Sequence, residues 1–157
     1  MAETEFRIPK ISVPVVLNTT EKEKIVAEIF LDYQSSDNFT LEELSNFFNT
    51  DNPFLPIRSS AKNKTILLRR DSIVWIDLSQ IKQQLLESTS MSLAYKREVA
   101  LHSQSAGALH ATVIMEMPAD HSRVIDLLNL KRIFIPVLVE EKFALVNLHH
   151  IDQIEEL

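Results

Sequence analysis

Five cations and no acid lie between Arg58 and Arg70: Arg58, Lys62, Lys64, Arg69 and Arg70. Such a stretch can dock an acidic partner, a nucleotide or another anionic ligand, or a phosphate backbone. It lacks the interleaved aromatic residues that base stacking needs. A solvated loop and strand edge is the plainer expectation for it. The histidines form a second group. His102, His110, His121, His149 and His150 all fall in the C-terminal half. Imidazoles can ligate zinc or another transition metal, and His102 and His110 could meet across a hairpin. No spacing matches a ligand motif such as His-Glu-x-x-His, so these side chains are expected on the surface or facing a partner, with no metal and no cofactor. Arg123 and Asp126, three apart on an expected helix, suit an ion pair of a few tenths of a kcal/mol.

Nothing in the chain writes a catalytic constellation. Only one glycine, Gly107, is present. A phosphate-cradling loop, a dinucleotide fingerprint and a nucleophile elbow each need more than that. Serine, histidine and aspartate occur, but without an elbow or oxyanion loop they make no triad. Nothing brings two carboxylates together for acid–base work. Cysteine is absent, which removes disulfides and thiolate metal sites. The expectation is a non-enzyme.

The elements that carry these residues are announced by a repeated motif. Phe47-Phe48-Asn49, four residues, then Phe54-Leu55-Pro56-Ile57 returns as Leu127-Leu128-Asn129, four residues, then Phe134-Ile135-Pro136-Val137. The correspondence continues outward. Ile25, Ala27, Ile29 and Leu31 match Leu109, Ala111, Val113 and Met115 at an offset of 84; the motif itself repeats at 80; Leu67, Ile73 and Ile76 match Leu145, Ile151 and Ile154 at 78. The offset changes at Tyr33 to Asn38 and at Ser59 to Lys64, both polar, as insertions in surface loops should. The reading is a tandem duplication, with unit one at 10–77, a linker with a short helix at 78–95, and unit two at 96–157.

Each unit reads strand, strand, helix, strand, strand, strand. Ile11, Val13, Val15 and Leu17 alternate with polar neighbours, and so do Ile25, Ala27, Ile29 and Leu31, which marks half-buried strands joined as a hairpin. Thr40 and Glu43 form a capping box, with Phe39 and Leu44 spaced as a hydrophobic staple. Asp120 aligns with Thr40 as the second cap. Leu41, Leu44, Phe47 and Phe48 then make one apolar stripe, repeated by Val124, Leu127 and Leu128. Asn49 and Asn129 stand where a left-handed residue ends a helix, and asparagine is the usual substitute for glycine there. Phe54 and Phe134 are expected to fill the core beneath each helix. Pro56 and Pro136 are expected on an edge strand or at a strand's first residue, since proline has no amide to donate. Ser79 is the expected cap of a linker helix over Ile81 to Glu87. Trp75 is expected in core or inter-repeat packing.

Bulk properties agree with a globular protein. The chain has 157 residues, 45% of them hydrophobic, and a formal net charge of −6 shared evenly between its halves. That balance weighs against a general nucleic-acid binder. Units of this size have marginal cores alone, so the two are expected to pack together. The acidic start, Met1-Ala2-Glu3-Thr4-Glu5, is no signal peptide, and no apolar run is long enough to span a membrane. A cytoplasmic location is expected.

The order of elements and the closing Ile-x-x-Ile resemble SH3-like and Sm-like small β-barrels. The second unit also resembles a bacterial domain group of unassigned activity that carries Arg-x-x-Asp-x-Leu-Asn and then Phe-x-Pro, here Arg123, Asp126, Leu128, Asn129, Phe134 and Pro136. In the first unit Glu43 and Asn46 replace the Arg and Asp. The loop Asp and Asn, and the Gly, of RNA-binding Sm proteins have no match here, so RNA binding does not carry over. The fold expectation is α+β, mainly β: a tandem duplicate of a ββαβββ unit, barrel-like, with the units packed together. The functional expectation is a protein-interaction module, an adaptor, scaffold or regulator, whose partner is another protein or itself. The alternatives are a sensor of a nucleotide or other anion, and Sm-like nucleic-acid binding. Contact residues under these readings are Arg58, Lys62, Lys64, Arg69, Arg70, Arg123 and Asp126.

Overall fold

A computed structural model describes residues 10–32, 39–87, 95–104, 107–115, 125, 128 and 132–157. Among these residues there are ten strands: β1 (Lys10–Thr19), β2 (Lys24–Asp32), β3 (Phe54–Ser59), β4 (Lys64–Arg69), β5 (Ile73–Asp77), β6 (Tyr95–Ser103), β7 (Gly107–Met115), β8 (Phe134–Val139), β9 (Lys142–Asn147) and β10 (Gln153–Glu156). Helix α1 spans Leu41–Phe48 and the single turn α2 spans Gln83–Leu86. All strands join one sheet, in the order β10-β6-β7-β8-β9-β5-β1-β2-β3-β4, and every pairing among them is antiparallel. The architecture is therefore mainly β with little helix. The order divides into two runs of five, β5-β1-β2-β3-β4 and β10-β6-β7-β8-β9, in which corresponding strands occupy corresponding places. The seam between the runs is the β5–β9 pair.

Alternation puts the expected residues inside. Val13, Val15, Leu17, Ala27, Ile29 and Leu31 are buried, and so are Val99, Leu101, Ala111, Val113 and Met115. These build two apolar clusters. The first contains the N-terminal half's core and also Ile114, Phe134, Phe143 and Leu145 from the C-terminal half. The second contains the remaining inward residues of β6 to β9, with Trp75 of β5 packed against it. Each half thus contributes side chains to the other's cluster. A strand has two faces, and β9 fills both: Leu145 on one, Ala144 and Val146 on the other.

Helix α1 starts as its sequence implies. Thr40 Oγ1 accepts from the amide of Glu43 at 3.1 Å, and Phe39 and Leu44 are both buried in the first cluster. Its end differs from expectation. Asn49 has φ −94° and ψ 21°, not a left-handed conformation. The helix can end without one because the Asn49 side chain is held elsewhere, as described below. Asp120, His121, Arg123, Val124, Asp126, Leu127 and Asn129 lie outside the described residues; Ile125 and Leu128 are helical.

Three further expectations need correction. Pro56 and Pro136 are on interior strands, since β3 lies between β2 and β4 and β8 between β7 and β9. They are tolerated because the β2–β3 ladder comprises only Ala27–Ser59 and Glu28–Arg58, and the β7–β8 ladder only Thr112–Leu138 and Val113–Val137. Each proline falls beyond the end of its ladder, where no amide is demanded. Ser79 does not cap α2. The cap position is Lys82, while the Ser79 amide donates to Asp77 Oδ1 at 2.8 Å. Phe54 is not in the core; it is 44% exposed.

Gly107 has φ +72° and opens β7. The β8–β9 turn solves the same problem without glycine. Val139 pairs with Lys142, so Glu140 and Glu141 form a two-residue turn with φ 51° and 67°. Positive φ at both positions is what a type I′ turn requires, and Asn-Gly suits it best. The double substitution Glu140→Asn with Glu141→Gly is expected to raise stability by about 1 kcal/mol, measured by chemical denaturation. An unchanged midpoint would show that the turn bears no strain.

Candidate interaction surface

Cross-strand partners share a face of the sheet. On the β3–β4 hairpin the outward pairs are Phe54–Arg69, Pro56–Leu67 and Arg58–Thr65. Glu28 pairs with Arg58, which places Val26, Glu28 and Phe30 of β2 on the same face. Val16 of β1 lies opposite Val26. This face carries a run of exposed apolar groups: Val26, Phe30, Phe54 and Leu67. Exposed hydrophobes scattered singly are ordinary; these four share one face of the sheet, beside the outer strand β4. Among the described residues β4 is paired on one side only, and β10 likewise.

The corresponding positions in the C-terminal half behave differently. Leu67 is 70% exposed and Leu145 is fully buried; Phe54 is 44% exposed and Phe134 fully buried; Phe30 is 39% exposed and Ile114 4%. The residue types are alike, so the difference comes from what lies on top. The N-terminal half covers the C-terminal face. Phe48 packs on Phe134 with ring centroids 5.7 Å apart. Ile76 of β5 stands opposite Leu145 in the ladder. Gln83 Oε1 accepts from the Phe143 amide at 2.8 Å. The Asn147 side chain, fully buried, donates to the Ile73 carbonyl at 2.8 Å.

Asn49 ties the end of α1 to the start of β8. Its Oδ1 accepts from the amides of Ile133 at 3.0 Å and Phe134 at 2.7 Å. Its Nδ2 donates to the Phe134 carbonyl at 3.0 Å and to Ser45 Oγ at 3.0 Å. One side chain at the end of α1 thus satisfies the first backbone groups of β8, which have reached the end of their own ladder.

The expected contact residues separate along the hairpin. Arg58 and Arg69 lie at opposite ends of the outward face. Arg58 Nη2 donates to Asn63 Oδ1 at 2.6 Å, and the Arg69 guanidinium sits 4.7 Å from the centre of the Phe54 ring. Lys62 and Lys64 are exposed at the turn. Arg70 is half-buried past the strand end, and its Nε and Nη1 are buried without a hydrogen-bond partner among the described residues. The five cations therefore form no common pocket. A cleft of about 310 Å³ elsewhere is lined by Glu98, His110, Thr112, Glu140 and Glu141 among others, and holds none of them.

Two of the described histidines lie beside acids. His102 Nε2 is 3.5 Å from Glu155, and His149 Nδ1 is 3.6 Å from Asp71. His150 Nε2 contacts the Asp71 carbonyl. His102 pairs with Ala108 and His110 with Ala100, so they are diagonal rather than opposite on the hairpin. Among the described residues no three His, Cys, Asp or Glu are grouped to hold a metal.

Phe30 and Leu67 carry no charge and belong to no chemical motif. A signal was present. Phe30 is apolar on the strand face that Glu28 and Asp32 mark as polar, and Ile66-Leu67-Leu68 breaks the alternation of a half-buried strand.

Matched truncations test the asymmetry. Phe134→Ala is expected to cost about 3–5 kcal/mol and Phe54→Ala less than about 1 kcal/mol, measured by urea denaturation. Equal costs would contradict the assigned burial. Asn49→Ala, which strands two amides of β8, is expected to cost about 2–3 kcal/mol.

No family model matches the chain, and no curated protein or solved structure matches it either.

Proposed function

We propose that this protein is a non-enzymatic interaction module, an adaptor or scaffold, built from two copies of one ββαβββ unit, each resembling a small barrel. The duplication is supported by the orderly offsets of 84, 80 and 78 in the sequence and by the matching strand order of the two runs. One observation carries the functional reading. The outward face of β2, β3 and β4 leaves Phe30, Phe54 and Leu67 exposed at the same positions where the C-terminal half buries Ile114, Phe134 and Leu145 against a neighbour. A surface of this composition, next to a strand edge that no described residue pairs, takes a partner by strand addition and apolar contact.

The test is photocrosslinking in the intact cell from a diazirine-bearing residue in place of Leu67, with one in place of Glu23 as the control. A protein adduct from position 67 and none from position 23 is the expected result. Recovery of solvent-quenched protein alone from position 67 would overturn the reading.

A second reading is a sensor of a nucleotide or other anion, and Arg70 favours it. A guanidinium with two buried unpartnered nitrogens is a poor resting state and a good anion donor. It predicts that nucleoside mono-, di- or triphosphates raise the melting temperature of the wild type and leave Arg70→Ala unaffected. The same shift in both proteins, or no shift in either, would dismiss it.

A further inference from the structure

We propose that the partner at the exposed face is a second copy of this chain, bound head to tail, with β4 of one molecule pairing antiparallel with β10 of the next. The proposal rests on the interaction-module reading and deepens it by naming the occupant.

The seam inside the molecule already makes this kind of contact. There, β9 pairs with β5 through Val146–Trp75, Leu145–Ile76 and Ala144–Asp77. At the sequence offset of 78, β9 corresponds to β4 and β5 corresponds to β10. These two corresponding strands are the outermost strands of the sheet. The seam is heterologous: one edge meets a different edge, so among the described residues each molecule still carries one unpaired edge of each kind. A contact of this type repeats, closing into a ring or continuing as a filament according to its rotation.

Transferring the register sets Gln153 opposite Leu68, Ile154 opposite Leu67 and Glu155 opposite Ile66. Asp152 then falls opposite Arg69. Leu67 would enter beside Ile154, which already packs against the second cluster, as Leu145 lies beside Ile76 in the first. Phe54 would meet the helical Leu128, which holds the place of Phe48. Charge agrees with this choice of edges. Strand β10 and its lead-in bear Asp152, Glu155 and Glu156, while β4 bears Lys64 and Arg69. Pairing two β4 edges or two β10 edges would oppose like charges, which costs where the proposed pairing gains.

Sedimentation velocity and native mass spectrometry of the purified full-length chain, over a hundredfold concentration range, test the proposal. The wild type is expected to form species larger than a monomer. Leu67→Glu is expected to be monomeric with an unchanged melting curve, since that side chain is exposed in the monomer. Arg69→Glu and Asp152→Arg are each expected to weaken association at least tenfold. A 1:1 mixture of these two variants is expected to recover the wild-type assembly with the two variants alternating, because one junction pairs the two reversed charges and the next pairs unchanged Arg69 with unchanged Asp152. A wild type that stays monomeric throughout, an assembly that Leu67→Glu leaves intact, or one that Leu67→Glu abolishes while Asp152→Arg leaves it intact would each overturn head-to-tail pairing. If the wild type is monomeric and position 67 crosslinks to a different protein in cells, the module reading stands and the self-assembly proposal falls.

Discussion

A β-strand has two hydrogen-bonding edges and two faces, and β9 uses all four. It pairs with β8 on one side and β5 on the other, and its side chains divide between the two apolar clusters. Without the β5–β9 pair the sheet would be two separate five-stranded runs, each with a core near the lower limit of independent stability. With it, the apolar outer face of β7, β8 and β9 becomes interior. Beside that pairing Ile114, Phe134, Phe143 and Leu145 are buried, α2 docks through Gln83, and buried Asn147 bonds the Ile73 carbonyl of β5.

Asn49 shows how a polar residue becomes architectural through a contact its local sequence does not reveal. Read alone, an asparagine after a helical apolar pair suits a left-handed terminus. In the folded chain it holds ordinary backbone angles and commits its amide to Ile133 and Phe134. Those groups lie 84 and 85 residues away in the chain. Asparagine suits this position because it has both a donor and an acceptor on one short side chain.

Much of the fold was legible. Alternation in Val13 to Leu17 and Ile25 to Leu31 identified both strands and their buried faces. Thr40 and Glu43 marked the start of α1. What misled was position within the sheet. The prolines read as edge markers, because the rule concerns a missing donor and the length of a neighbouring ladder is invisible in one dimension. The candidate site was legible only in its rim. Arg58 and Arg69 were found by their charge, but the apolar centre between them, Leu67 and Phe30, resembles any core residue until its cover is known.

Local periodicity, dihedral preference and residue type are enough to set the strands, the helix start, the repeated motif and the absence of glycine-rich or cysteine-based chemistry. Which of two equivalent faces is covered depends on how the halves pack. Phe54 and Phe134 occupy the same place in the same motif, and one is exposed while the other is sealed. Burial is a property of what packs against a residue, and in this chain the packing element comes from the other half.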